Sequence, residues 1–293
     1  CHAGCFAAGL ATEGKKPYLT IYSTFLQRAY DALIHDIGIQ ELPVVVCMDR
    51  AGLVGNDGPT HHGMFDIAYL SVIPNYSVCA PKDGNELRSM LHWTCDNKIQ
   101  GAIGIRYPRD NVPTEMLKEI KPIEWGTWEF LTDENDITVL TFGPMIYESL
   151  KAREILMQNG IEISVVNARF IKPFDMRTLS RVRDNSKTII AIEEAQVRNG
   201  FGDSIGSYLM QSGWNGKFKA LGVEDRFITH GDREQLLAEV GLDAEGLAKS
   251  IGELVNGNRK PQSFLQKLRF LRGSESKKKA VSGSDILVTS KNE

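Results

Sequence analysis

The sequence predicts an α/β protein: two domains, each with a mostly parallel sheet flanked by helices. Three observations predict it. Short apolar runs of strand length alternate with longer segments whose apolar residues recur at helical spacing. That alternation occurs twice, and between the two lies a stretch from 108 to 136 that holds Pro108, Pro113 and Pro122 and keeps no period. A chain of 293 residues is also long enough for roughly two domains.

In the first half, residues 2–12 read as a helix with Ala, Phe and Leu on one face. Pro17 to Tyr22 reads as a strand. Thr24 to Glu41 reads as an amphipathic helix with Phe25, Ala29, Leu33 and Ile37 at spacings of four, and Thr24 as its cap. Pro43 to Asp49 is the second strand, Phe65 to Ile73 a short helix and Tyr76 to Ala80 a strand. A helix from Asp83 to Cys95, capped by Asp83, and a strand from Ala102 to Tyr107 follow. This order calls for parallel strands covered on both faces.

Residues 108–136 are expected to link the halves, with a short hairpin around Trp125 to Phe130. Strands are then predicted at Ile137 to Thr141, Ile161 to Ala168, Thr188 to Ile192 and Phe218 to Gly222. Helices are predicted at Tyr147 to Gln158, Asp175 to Val182, Gly202 to Gln211, Asp232 to Glu239 and Ala244 to Leu254. From Asn256 the composition turns to glycine, lysine and serine, as in a disordered tail. The run SFLQKLRFLR within it offers an alternative, a short basic amphipathic helix for a partner or membrane surface, although it has only one weak turn of apolar residues.

A hydrophobic content of 42% with a net charge of -3 describes a globular chain without the basic character of a nucleic-acid binder. No apolar run reaches the roughly 18 residues of a membrane span. Five cysteines without a CxxC pair suit reduced thiols and a cytoplasmic setting. No set of residues has metal-ligand spacing.

The chemistry concentrates in RAGLVGNDGPTHHGMFD, Arg50 to Asp66, directly after the apolar strand VVVCM. Ligands of parallel α/β sheets bind beyond the carboxyl ends of the strands. Those ends carry Tyr22, Phe25 and Arg28, then Arg50, Asp57 and His61, then Arg109. Arginines beside one carboxylate and one histidine suit a small anionic substrate, most simply a phosphate ester. For any one arginine alone, a surface ion pair is the commoner outcome. Glu193-Glu194, just past a strand, reads as a domain-contact or solvated pair rather than an acid–base pair. Gly200-Phe201-Gly202 is a weak candidate phosphate turn, His35 reads as structural, and His92 and His230 show no partners.

The runs IYSTFLQRAYDALIHDIGIQELPVVVCMDRAGLVGNDGPTHHGMFD, RYPR, NARFIKPFD and LGVEDRFITHG closely resemble the 1-deoxy-D-xylulose-5-phosphate synthases, which are transketolase-like, thiamine-diphosphate-dependent transferases. The resemblance covers residues 1 to about 254. It implies two transketolase-like domains: a pyrimidine-binding domain at 1–120 and a transketolase C-terminal domain at 137–255, joined by a linker at 121–136 and followed by a tail at 256–293. It further implies a homodimer that joins pyruvate to D-glyceraldehyde 3-phosphate with loss of carbon dioxide, a step toward isoprenoids, thiamine and pyridoxal. Thiamine diphosphate and Mg2+ are the implied cofactors. In the family, Mg2+ and the diphosphate are bound by a domain without a counterpart in these residues.

Residue by residue, the resemblance implies that Phe25 stacks on the aminopyrimidine, with Arg28 and Tyr22 nearby. Arg50 and Arg109 would hold the substrate phosphate. Asp57 and His61 would hydrogen-bond the reacting carbonyl and hydroxyl groups and help move protons, and Tyr22 would also touch substrate. One position departs from the family. Its Glu-Gln-His motif, whose glutamate activates thiamine, is matched only by Cys1-His2. The chain, which also starts without methionine, is therefore read as cut from a longer protein and as inactive by itself. The alternatives are a subunit of a split transketolase, a 2-oxo acid dehydrogenase β subunit and, in another class, a non-catalytic binding module. The joint presence of Asp57, His61, Arg50 and Arg109 argues against the last, since no fold needs all four.

Overall fold

A computed structural model of the chain describes residues 1–98, 100–111 and 118–257. Residues Cys1–Leu254 form one compact unit, and of the second unit, Val255–Glu293, only 255–257 are described. The predicted tail beyond 257, with SFLQKLRFLR, lies outside the described residues.

Strands β1 (Tyr18–Tyr22), β2 (Val45–Asp49), β3 (Tyr76–Cys79) and β4 (Ala102–Arg106) build the first sheet, in the order β1-β2-β4-β3 and all parallel. Val44, Val45, Val46 and Met48 have no exposed surface, as a strand covered on both faces requires. The register aligns Tyr22 with Asp49 and Met48 with Arg106, so β1, β2 and β4 end side by side. The helix Gly84–Asp96 covers this sheet and starts where predicted, with the Asp83 carboxylate accepting from the Glu86 N–H.

The segment after β1 departs from the expected single helix. It starts directly at Ser23, runs as α-helix to Leu26, tightens to 3-10 geometry over Gln27–Ala29, returns to α over Tyr30–Ala32, and widens to a π-turn over Leu33–Gly38. Thr24 is inside it and not its cap; its hydroxyl donates to Thr60 O. The winding loosens where the Tyr76 hydroxyl donates to Leu33 O, a contact from another element that the helical period does not reveal. The core face runs Leu26, Ala29, Leu33, Ile37, and Phe25 is turned outward with 44% of its surface exposed.

The second sheet has the order β10-β9-β6-β7-β5, from β5 (Glu129–Phe130), β6 (Ile137–Thr141), β7 (Ser164–Asn167), β9 (Thr188–Gln196) and β10 (Lys217–Val223). Strands β6, β7, β9 and β10 are parallel. No hairpin forms around Trp125 to Phe130; instead β5 pairs antiparallel with Val166 and Asn167 of β7. A strand absent from the sequence reading, β8 (Phe170–Lys172), leaves this half of the chain and pairs antiparallel with β3 of the first sheet. Both sheets share one apolar core. Phe142 meets Phe201 edge-on with ring centres 5.2 Å apart, and Trp125 meets Phe170 at 4.7 Å.

Strand β9 runs four residues past the predicted Ile192, which takes Glu193 and Glu194 inside the protein. Successive strand side chains point to opposite faces. Glu193 turns to the helix Phe201–Gln211 and accepts from the N–H groups of Phe201 (2.9 Å) and Gly202 (2.8 Å). The N–H groups of the Gly200-Phe201-Gly202 turn are therefore already taken by the Glu193 carboxyl oxygens, which corrects its reading as a phosphate site. The solvated alternative for the pair is likewise corrected, because Glu193 is fully buried and Glu194 nearly so.

Burial pushes the Glu193 carboxyl up to about 8, against the pull of the two N–H groups. The folded chain thus holds a proton there that the unfolded chain releases near pH 4.5. The contribution to stability is full below that value and is lost as pH rises toward 8. Urea unfolding from pH 5 to pH 8 should show wild type losing stability relative to Glu193→Gln. A parallel pH dependence of the two proteins would show that Glu193 is ionised throughout.

Candidate active site

The loop that leaves β2 begins with Arg50 in the left-handed region, φ 58°, a conformation that costs a non-glycine residue energy. This turn carries the Arg50 guanidinium back over the Tyr22 ring, 3.8 Å from its centre, while Asp49 pairs with it at 2.5 Å. The Tyr22 ring stacks on Phe25 at 5.3 Å and 13°. Phe25 in turn meets the His61 ring edge-on at 5.4 Å. Arg50, Tyr22, Phe25 and His61 therefore form one continuous chain of contacts. Asp57, on the same loop as His61, pairs with Arg109 at 2.6 Å. Arg28, also expected at this edge, is exposed.

The loop is closed at its neck, where Gly52 and Gly63 exchange N–H···O bonds of 2.8 and 2.9 Å. Both positions require glycine. A Cβ at Gly63 would lie 2.4 Å from Arg50 O, and one at Gly52, φ 82°, would lie 2.8 Å from the Glu194 carboxylate.

Beneath the neck sits an ion pair that the sequence reading did not single out. Asp66 is fully buried and Arg106 is 5% exposed, with Arg106 Nε 3.2 Å from Asp66 Oδ2. The Ser23 hydroxyl and the Ile67 N–H also donate to Asp66, while Arg106 Nη2 reaches Gly63 O at 3.5 Å and Glu194 O at 3.3 Å. Its one sequence signal is an arginine ending the apolar strand AIGIR, a buried charge that needs a partner. Two histidines set aside as unpartnered also have contacts: His92 bonds Asp96 at 3.0 Å and His230 packs against Gly58. His35 bonds Asp31 one turn away.

A cavity of about 750 Å³ lies elsewhere, between Tyr107, Asp110, Tyr147, Glu148 and Arg233. It meets the loop cluster only at the Tyr107–Asp110 turn and is lined by none of Tyr22, Phe25, Arg50 or His61. The chemistry-bearing residues instead line an open edge.

Two mostly parallel sheets with this loop at the carboxyl end of the first suit the transketolase class of domain pair. Residues 1–115 match the family described as transketolase, pyrimidine binding domain, and residues 126–247 match transketolase, C-terminal domain. The chain belongs to the transketolase-like family. It is 47% identical over 261 residues to a 1-deoxy-D-xylulose-5-phosphate synthase of Aquifex aeolicus and 43% identical over 254 residues to that of Clostridium tetani. These alignments cover 88% and 87% of the chain and 41% of each relative, so the chain spans about two fifths of the length of these relatives. A solved structure described as a split gene transketolase, inactive beta4 tetramer, superposes with a TM-score of 0.75 at 27% identity, covering 86% of this chain and 79% of that one.

Replacing Arg106 with Met should leave Asp66 buried without its countercharge. The expected loss is about 3–5 kcal/mol, read from urea denaturation. Adding Asp66→Leu should return part of it. Equal stability of wild type and the Arg106 single variant would show that Asp66 does not depend on the guanidinium.

Proposed function

We propose that this chain is the part of a 1-deoxy-D-xylulose-5-phosphate synthase that supplies the aminopyrimidine and substrate side of the active site. The complete enzyme condenses pyruvate with D-glyceraldehyde 3-phosphate and releases carbon dioxide. The observation that carries this reading is the contact chain Arg50–Tyr22–Phe25–His61 beside Asp57–Arg109, on a chain 43–47% identical to such synthases. The two sheets are taken as domains at 1–120 and 137–255, joined by a linker at 121–136, with a tail at 256–293.

Phe25, outward-facing and backed by the Tyr22 ring, offers a flat apolar face that suits an aminopyrimidine. Thiamine diphosphate, when bound, supplies the carbon nucleophile that retains the two-carbon unit of pyruvate. Arg28, exposed one turn beyond Phe25, is assigned to the rim of the cofactor site. Mg2+ is assigned, as the family resemblance implies, to the remainder of the complete enzyme.

Arg50 and Arg109 bind the substrate phosphate. Each guanidinium is already paired with a carboxylate, Asp49 and Asp57 respectively, so an arriving dianion competes with a single charge for each. A phosphate that takes Arg109 frees Asp57 to hydrogen-bond the reacting hydroxyl. His61, edge-on to Phe25 and bonded through Nδ1 to the Thr60 hydroxyl, keeps Nε2 for proton handling. Tyr22 lies under Arg50 and orients it. The complete enzyme is read as a cytoplasmic homodimer. Among the described residues no helix is long and apolar enough to cross a membrane.

A second reading, a subunit of a split transketolase, draws on the structural likeness to the split gene transketolase described as an inactive beta4 tetramer. Both readings expect the 293-residue polypeptide to be inactive alone. They separate on substrate: pyruvate decarboxylation with the completing polypeptide supports the synthase, and ketose transfer supports the split transketolase.

In the complete enzyme, Arg50→Ala and Arg109→Ala should each weaken use of the phosphorylated aldehyde, by on the order of 2–5 kcal/mol where the contact is desolvated. Unphosphorylated glyceraldehyde should be much less affected. His61→Ala should lower kcat for both. Steady-state kinetics with the two aldehydes checks this, and equal losses in the arginine variants would remove the phosphate assignment.

A further inference from the structure

The loop that carries Asp57 and His61 is held at both ends from the other half of the chain. At its start, Glu194 Oε1 accepts the Leu53 N–H at 2.9 Å, and the other carboxylate oxygen is held by Arg233 at 2.5 Å. At its end, the Gln196 N–H donates to Met64 O at 3.0 Å. Between these, the buried His62 ring spans the loop. Its Nδ1 accepts the Val54 N–H at 3.1 Å, and its Nε2 lies 3.1 Å from Thr229 O. A carbonyl oxygen only accepts, so Nε2 carries the proton and Nδ1 does not. One neutral tautomer satisfies both contacts.

From this geometry we infer that His62 and Glu194 are positioning residues, through which the second half of the chain sets the placement of Asp57 and His61. The two adjacent histidines then have separate tasks. His61 faces the open edge beside Phe25, while His62 is a strut from Val54 to Thr229 and touches no substrate. Glu194 fixes the neighbouring amide, and the glycine at 52 leaves room for its carboxylate. Asp57 and His61 lie between residues 54 and 62 and inherit whatever precision these bonds impose. The catalytic consequence rests on the proposed synthase function; the clamp itself rests on the bonds alone.

The test compares His62→Ala, His62→Gln and Glu194→Gln in the 293-residue chain, by amide exchange and by NMR of the imidazole nitrogens. In wild type, His62 Nε2 should be protonated and Nδ1 bare at neutral pH. His62→Ala should speed exchange at Val54 about tenfold while Val139 and Val165, in β6 and β7, stay slow. The His61 ring signals should broaden or split. His62→Gln should restore most of the protection, because its amide has both an acceptor and a donor. Glu194→Gln keeps an acceptor for Leu53 but loses the charge paired with Arg233, so its effect should be confined to Leu53 and Arg233. A proton on Nδ1, unchanged exchange at Val54 in His62→Ala, or a glutamine no better than alanine would each overturn the clamp. In the complete enzyme, His62→Ala should lower kcat with little change in KM, and the glutamine variant should recover it. Wild-type turnover in His62→Ala would overturn the positioning role. Absence of synthase activity in the wild-type complete enzyme would instead fail the proposed function, with the exchange results still deciding the clamp.

Discussion

A guanidinium and a carboxylate withdrawn from water where β4 and the loop after β2 meet can persist only as a hydrogen-bonded pair. Arg106 and Asp66 form that pair, and the surrounding backbone completes it: Ser23 at the head of the broken helix, Ile67 at the start of a short helix, Gly63 at the loop neck and Glu194 on the other sheet. Four separate pieces of chain are thereby tied to two charges. None can move without leaving a buried charge short of a bond, a cost of a few kcal/mol. The loop with its strained Arg50 and its glycine neck is built on this anchor. Strain at Arg50 is tolerable because the segment on either side is so heavily constrained.

Glu193 and Glu194 show how adjacent residues of like chemistry come to serve opposite ends of a molecule. The pleat sends one to a helix of its own half and the other to the loop of the first half. Both carboxyl groups accept from backbone N–H groups. For Glu193 burial dominates and the proton is retained, whereas Glu194 has the Arg233 guanidinium at 2.5 Å. Identical residues in adjacent positions thus sit in different electrostatic surroundings.

The sheets were legible in the sequence because buried parallel strands read as continuous apolar runs, and VVVCM leaves little else to choose. The Arg50–Asp66 loop was legible because no ordinary turn needs its mixture of glycine, charge and histidine. The broken helix was not, since apolar spacing does not report a carbonyl captured by Tyr76 from another element. Phe25 faces outward and not onto the core, because a helical face is kept by a spacing of three as well as four: the core residue is Leu26, three before Ala29, and not Phe25, four before it. Arg106 and His62 were hidden by their neighbours: Arg109 and His61 carry the same chemistry and look more accessible. Their importance comes from partners dozens of residues away, such as Gly63 and Thr229, which no local pattern announces.

The placement of β8 bears on how this fold can be divided. It belongs by sequence to the second half, yet it pairs with β3 through Val78 and Cys79, and the Ala80 N–H reaches back to Arg169 O. A first half expressed alone would leave the outer side of β3 unpaired, presenting free amides and carbonyls to any other extended chain. The linker between the halves is thus a poor place to cut, despite its prolines and lack of period. One sheet has borrowed its outermost strand from the other half of the chain, and the two halves are stitched together as a single hydrogen-bonded fabric.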